Sequence, residues 1–412
     1  MRRKPLPPPP KAVDGRPKRN KGRQQRSVLT ANGRVVLRRV RWFSPTEGST
    51  TPIDAALDVA EATVSLAVRE IACRLNQNAS NFEKAAENLA RAAQVRISGE
   101  GLRRLVEAEG KAVLAAGRAG TIPIGWTAAD CRTQDPTDPT KPGPTRVYLG
   151  CDGVLVPMVT DSEKLIRRQA VRQKRRRRGR KTRPLPPARV GADQKYKEFK
   201  IVAYYDQDQS HRDVSVTRGD HHVAGRLMRR EAARIALDEA REKIALADGA
   251  VWIGNQIRGQ NLPLDAIGLD FDHLAEHVHA ARRIVYGEGT ATGKTWAVEI
   301  LHRVKHEGYN ALWESLTRWR ATLRGRRRQA ADDLVHYVAR RKETILYPEF
   351  LAKGWQIGSG PTEAMCKTTT ARLKGSGMRW DGANAEAIMA LAALEQSGQW
   401  KGYWKTRLKP TG

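Results

Sequence analysis

Three carboxylates in this chain are placed as a divalent-metal site would need them. Asp152 interrupts an apolar run at residues 146–157 (RVYLGCDGVLVP), Asp248 interrupts another at 243–253 (KIALADGAVWI), and Glu363 follows Pro361 by two residues in IGSGPTEAMCK. A charge in the middle of an apolar strand is costly unless it is paired or metal-bound. Glu363 falls in the first turn of a helix whose start is marked by proline, where no donor is lost and negative charge is favoured. Each acid follows or interrupts the end of an element, in an order compatible with one shared sheet edge. Three clustered carboxylates repel one another, and their pKa values rise unless a divalent cation holds them together. Mg²⁺, or Mn²⁺, suits all-oxygen ligands and keeps positions open for water and phosphate. Two such ions activate a nucleophile and stabilise the leaving oxygen at a phosphodiester. Asp152-Gly153 also has the form of a hairpin turn, and Glu363 that of simple dipole compensation. Both alternatives stand at this stage.

Other motifs carry less. Residues 286–295 (YGEGTATGKT) end like a phosphate-binding loop, but the glycine required five positions before Gly293-Lys294 is Glu288, and the preceding pattern is helical. Residues 217–222 (TRGDHH) and 271–273 (FDH) put histidines beside carboxylates without cysteine partners or the H-E-x-x-H spacing of a zinc enzyme. The cysteines, Cys73, Cys131, Cys151 and Cys366, are far apart and support neither a zinc ribbon nor a disulfide framework.

The acids need a scaffold, and the periodicity supplies one. Residues 146–157, 196–205 and 212–217 predict a three-stranded antiparallel meander; a helix at about 225–242, a strand at 243–253 and a strand at 264–270 follow. Meander first and alternation after indicates a mixed α/β sheet. Residues 274–354 predict an all-α insertion, with Trp296, Leu301, Trp313, Leu316, Trp319 and Leu334 as apolar markers, and residues 355–412 complete the core with the Glu363 helix and a last helix at 384–395.

The chain has 412 residues, with Lys+Arg 74 against Asp+Glu 44 for a formal net charge of +30, a field that draws polyanions, above all nucleic acid. Residues 1–26 combine prolines with like charges and predict a disordered basic arm. Residues 27–117 form the expected DNA-binding region, opened by a hairpin around Asn32-Gly33 and continued by helices. Of these, 82–93 and 99–113 make either a helix-turn-helix with Arg103 and Arg104 facing a major groove, or an ordinary helical hairpin. Residues 118–145 are rich in Gly, Pro, Thr and Asp and mark a linker. Residues 163–189, with Arg175, Arg176, Arg177 and Arg178, lack an apolar period and predict a solvated loop able to hold a phosphate backbone near Asp152. No apolar run approaches the ~20 residues of a membrane span. A soluble cytoplasmic, nucleoid-associated protein is expected.

The succession YLGCDG, ALADGAVWI, LDFDHLAEHV and IGSGPTEAMCK resembles bacterial insertion-sequence transposases of the DDE class, in the Mutator-related group. The resemblance covers about 146–395 and, weakly, the region from FEKAAENLA to LRRLVEAEG. It implies a ribonuclease H-like fold with metal-binding acids at Asp152, Asp248 and Glu363, and partners that are DNA: terminal inverted repeats and target. The group's Cys-or-Asp, two residues, His signature is matched by Asp270 and His273, which leaves Asp248 as the second acid and Asp270 as its competitor. A cysteine-rich zinc module carried by many relatives has no counterpart at residues 42–52. The expected activity is metal-dependent strand cleavage and strand transfer by a homodimer or higher oligomer on DNA. Lys367 and Lys374, on the Glu363 helix and at its end, are candidate phosphate contacts. A nuclease without strand transfer and a silent DNA-binding derivative are the alternatives.

Overall fold

The computed structural model describes residues 9–56, 63–135, 138, 140–179, 184–187 and 190–407. They fall into two units, residues 1–123 with 400–412, and residues 124–399.

The first unit opens with an antiparallel sheet of β1 (Arg19–Thr30), β2 (Gly33–Ser44) and β3 (Gly48–Thr50). Its hairpin closes at Thr30 and Gly33, with Gly33 at φ +99°, where the Asn-Gly signal placed it. A short helix α1 (Ile53–Ala56) precedes α2 (Leu66–Gln77), α3 (Phe82–Ala93) and α4 (Gly99–Arg118). Asn81 and Ser98 cap α3 and α4 through their side chains. Leu89, Leu102 and Val106 are fully buried, as a three-helix packing around the α3–α4 pair requires.

β1 begins inside the segment expected to be disordered, so residues 19–26 are ordered strand and not arm. Two acids carry that difference: Lys18 pairs with Glu47 and Arg26 with Asp54, 29 and 28 residues further along. Local composition does not reveal such partners.

The second unit is built on a mixed sheet. Its strands are β4 (Arg132–Gln134), β5 (Pro142–Pro157), β6 (Tyr196–Asp206), β7 (Arg212–Thr217), β8 (Glu242–Ala247) and β9 (Ala266–Leu269). The order is β7-β6-β5-β8-β9, with β4 pairing β5. β5, β6 and β7 form the expected antiparallel meander, whereas β8 and β9 run parallel to β5. Val147, Leu149, Val202, Tyr204 and Ala245 bury one face of this sheet with Leu227 and Met228 of α6 (His221–Arg234) and Ile253 of α7 (Val251–Gly259). The segment expected as a linker is partly built into this unit, since β4 and the start of β5 lie within it.

Between β5 and β6 stands α5 (Asp161–Arg177). The basic segment is therefore a helix over most of its described length, not a loop, and residues 180–183 lie outside the described part. Thr160 and Glu163 close a capping box, acids occupy the first turn and Lys174 to Arg177 the last. The first-turn acids and last-turn bases thus agree with the helix dipole, and end effects sustain a helix that buries no side chain.

The insertion is α8 (Phe271–Tyr286), α9 (Ala291–Glu307), α10 (Tyr309–Ala321), α11 (Gly325–Ala339) and α12 (Tyr347–Ala352), around Leu274, Val278, Val304, Leu312, Leu316, Leu334 and Val338. Gly293-Lys294 lies inside α9, so the phosphate-loop likeness has no strand-to-helix turn behind it. Helix α13 (Gly360–Thr370) then carries Glu363, and α14 (Gly382–Gln396) is almost wholly buried. The last helix, α15 (Trp400–Arg407), belongs to the first unit, where Trp400 donates to Glu70 at 3.1 Å.

Candidate active site

Three aspartates stand where the parallel pairing ends: Asp152 within β5, two residues past its last pairing with β8, and Asp248 and Asp270 immediately after β8 and β9. β5 pairs Gly150 with Leu246 of β8, so two further residues bring Asp152 level with Asp248. β8 pairs Ala247 with Leu269 of β9, so one further residue brings Asp248 level with Asp270. The ends of parallel strands are where open α/β sheets place ligands. Asp152 lies within β5, opposite Ile201 of β6, which removes the hairpin-turn alternative.

Glu363 reaches the same edge because α13 packs on β5. A Cβ added at Gly150 would stand 1.9 Å from Thr362 Oγ1, so only glycine lets the helix approach this closely. The chain turns away after Asp248 through Gly249 at φ +83°, whose carbonyl accepts from Arg341 Nη2 at 2.9 Å. A left-handed residue at that point favours glycine.

The four acids have different hydrogen-bond environments. Asp270 is fully buried and caps α8, accepting from the Asp272 N–H at 2.7 Å and the Ser359 N–H at 2.9 Å, and also from the Ser359 hydroxyl. His273 Nδ1 lies 3.5 Å from it. Burial by itself would raise the Asp270 pKa, but the bonds from His273, Ser359 and Asp272 together hold it down at about 2. Asp270 thereby ties the start of α8 to the residue preceding α13.

By contrast, Asp248 Oδ1 accepts only the Ala250 N–H at 2.8 Å, and Asp248 makes no ion pair among the described residues. Asp152 Oδ1 accepts the Gly153 N–H at 2.6 Å. Its pKa is raised, first by burial and then by the neighbouring charge of Asp248, against the bonds from Gly153 and the Cys366 thiol. Glu363 is half-exposed and faces Lys367 at 3.6 Å.

His273 stands among these acids. Its bond to Asp270 and the fields of Asp270, Asp248 and Glu276 outweigh burial and raise its pKa to about 9, so at neutral pH it is an imidazolium. Ligand atoms of Asp270, His273 and Glu363 lie within 4.8 Å of one another, a grouping that could hold an ion only with His273 deprotonated. Asp152, Asp248 and Glu363 do not form such a group within 4.8 Å.

Of the five acid and histidine positions singled out in the sequence, Asp270, His273 and Glu363 come within 4.8 Å of one another, and Asp152 and Asp248 are close enough for their charges to interact. Sequence reasoning missed Cys366, which bonds Asp152 from one helical turn beyond Glu363, and Ser359, which fastens Asp270. The i, i+3 spacing of Glu363 and Cys366 was a usable signal for the first; nothing local signalled the second.

The basic positions divide. Arg176, Arg177 and Arg178 are exposed at the end of α5, with Arg175 partly covered beside them. Lys367 and Lys374 are exposed. Arg103 and Arg104 are committed within their own helix: Arg103 to Glu100 and Glu107, both at 2.8 Å, and Arg104 to Glu100 at 2.7 Å. No helix among the described residues is long and apolar enough to cross a membrane. No protein-family model matches the chain, and no curated protein matches it.

Proposed function

We propose that this protein is a DNA transposase of the DDE class with a ribonuclease H-like core, in which Asp152, Asp248 and Glu363 hold two Mg²⁺ or Mn²⁺ ions. The observation that carries it is the sheet: an antiparallel meander followed by two parallel strands, with one acid inside the first strand just past its parallel pairing, a second immediately after the fourth strand, and a helix bearing the third acid packed on the first. The ligand set fits such ions. It is all-oxygen and half-exposed, and it includes a carboxylate, Asp152, whose pKa is raised first by burial and then by the charge of Asp248.

When bound, the ions supply Lewis acidity at the scissile phosphodiester. Asp248 is preferred to Asp270 as the second ligand because it accepts a single hydrogen bond, from the Ala250 N–H, whereas the lone pairs of Asp270 are engaged by Ser359, Asp272 and His273. His273 offers its imidazolium to a phosphate oxygen. Water bonds to phosphorus as the bond to the 3′ oxygen breaks, leaving a free 3′-hydroxyl. That hydroxyl then attacks a target phosphodiester, one target P–O bond breaking as the new one forms. Lys367, Lys374 and the end of α5 contribute positive charge along the DNA path. In this role the protein works in the bacterial cytoplasm, associated with the nucleoid, as a dimer or higher oligomer on paired element ends.

The test uses purified full-length protein, Mg²⁺ and a duplex carrying the inverted repeat that flanks its gene. Nicking followed by joining of the 3′ end to a second plasmid is expected. Nicking without joining supports a hydrolytic nuclease instead, and salt-sensitive binding without nicking a silent derivative.

A further inference from the structure

Arg103 and Arg104 spend their charge inside α4, which raises the question of where the first unit meets DNA. The β1–β2 ribbon sorts its arginines by face. On one side Arg26 and Arg39 converge on Asp54, Arg26 at 3.1 Å, and Arg39 also reaches Gln24 at 3.3 Å. Arg39 and Asp54 are buried there. The other side follows from the register, in which Gln25 faces Arg38, Ser27 faces Val36, Leu29 faces Arg34 and Arg23 faces Val40. Arg23, Gln25, Arg34, Val36 and Arg38 are exposed on it. Among the described residues Arg23, Arg34 and Arg38 make no ion pair, and Arg34 touches only Ser27 Oγ at 3.4 Å.

On the footing of the DNA-processing reading above, we propose that this outward face of the β1–β2 ribbon reads the major groove of double-stranded DNA. A two-stranded ribbon is one of the two elements that a major groove admits. The side chains fit base edges: arginine addresses guanine O6 and N7, glutamine addresses adenine N6 and N7, and an exposed valine suits a thymine methyl. Val36 is 56% exposed on this face, whose other apolar members, Leu29 and Val40, are buried and half-buried. The acid is confined to the inner face, and the exposed residues of the outer one are the cationic Arg23, Arg34 and Arg38, the amide Gln25 and the apolar Val36. A register shift between Asn20 and Arg23 adds twist to the ribbon, as following a groove requires.

The experiment uses the full chain, duplexes that it enriches from a randomised pool, a scrambled copy of the winner and an RNA duplex of the winning sequence. Wild type should prefer the winner to the scramble, and R23A/Q25A/R38A should lose at least tenfold of that preference. R23K/R38K, which keeps the charge without the planar fork, should retain the salt dependence and lose the preference. Circular dichroism confirms that the variants fold. Wild-type preference in the triple variant, equal binding of the RNA duplex, or failure of wild type to enrich any sequence would overturn ribbon readout. Mg²⁺-dependent plasmid nicking is measured separately: its absence in wild type, with ribbon-dependent selectivity intact, sinks the transposase assignment and leaves the ribbon standing.

Discussion

Asp270 offers the sharpest separation between a ligand and a fastening, because the two roles make opposite demands on stability. Its carboxylate is fully buried and holds the Ser359 N–H, the Ser359 hydroxyl, the Asp272 N–H and His273. Asp270→Ala removes an N-cap, at about 1 kcal/mol, and strands the buried Ser359 N–H, at about 1–3 kcal/mol. The expected loss is therefore about 3 kcal/mol. Asp270→Asn keeps the cap acceptor but turns an amide donor toward Ser359 or His273, for about 2 kcal/mol.

The pKa gives a matching figure. Depression from 3.8 to about 2 corresponds to about 2 kcal/mol of stabilisation. Because the folded value lies below the unfolded one, that stabilisation is complete above about pH 4 and is lost as pH falls through about 2. Denaturant unfolding, followed by tryptophan fluorescence, should thus separate wild type from Asp270→Asn by about 2 kcal/mol at pH 7. The gap should close on acidification from pH 4 toward pH 2. Asp248→Asn should show no such loss. If Asp270→Asn were as stable as wild type at pH 7 and had lost metal-dependent cleavage, Asp270 would be a ligand and the fastening role would be refuted.

Asp152→Asn, Asp248→Asn and Glu363→Gln should each lower Mg²⁺-dependent nicking at least a hundredfold, with thermal midpoints unchanged or raised because repulsion is relieved; retained nicking in all three would refute the site. Gly150→Ala drives a methyl into Thr362 and should cost about 1–3 kcal/mol by overpacking, with activity falling as α13 moves; an unperturbed midpoint would count against that packing. Replacing Arg176, Arg177 and Arg178 by alanine should shallow the salt dependence of DNA binding, measured by fluorescence anisotropy at several salt concentrations, while leaving the fold intact, since none is buried. Arg104→Ala should instead remove an exposed helix pair worth about 0.3–0.5 kcal/mol, read as a small shift in thermal midpoint, and Arg103→Ala should shift it further because it leaves the buried Glu107 carboxylate without its partner.

The strands, the meander and the all-α insertion were legible because each buries a regular stripe, and alternation or three-and-four spacing survives in the sequence. Chain order also puts the acids near element ends, which is why Asp152, Asp248 and Glu363 stand out in the sequence itself. Residues 19–26 and α5 were not legible for one shared reason. Both are dense in like charge, and what orders them is either a partner far along the chain, such as Asp54, or caps and end charges that leave no apolar period. Only the tertiary structure decided which aspartate is spoken for. Asp248 and Asp270 look alike in sequence, each an acid at the end of a short apolar run. Ser359 lies 89 residues beyond Asp270, and its approach is governed by how closely α13 packs on Gly150. A carboxylate's availability depends on who donates to it, and that is a property of the fold, not of the residue.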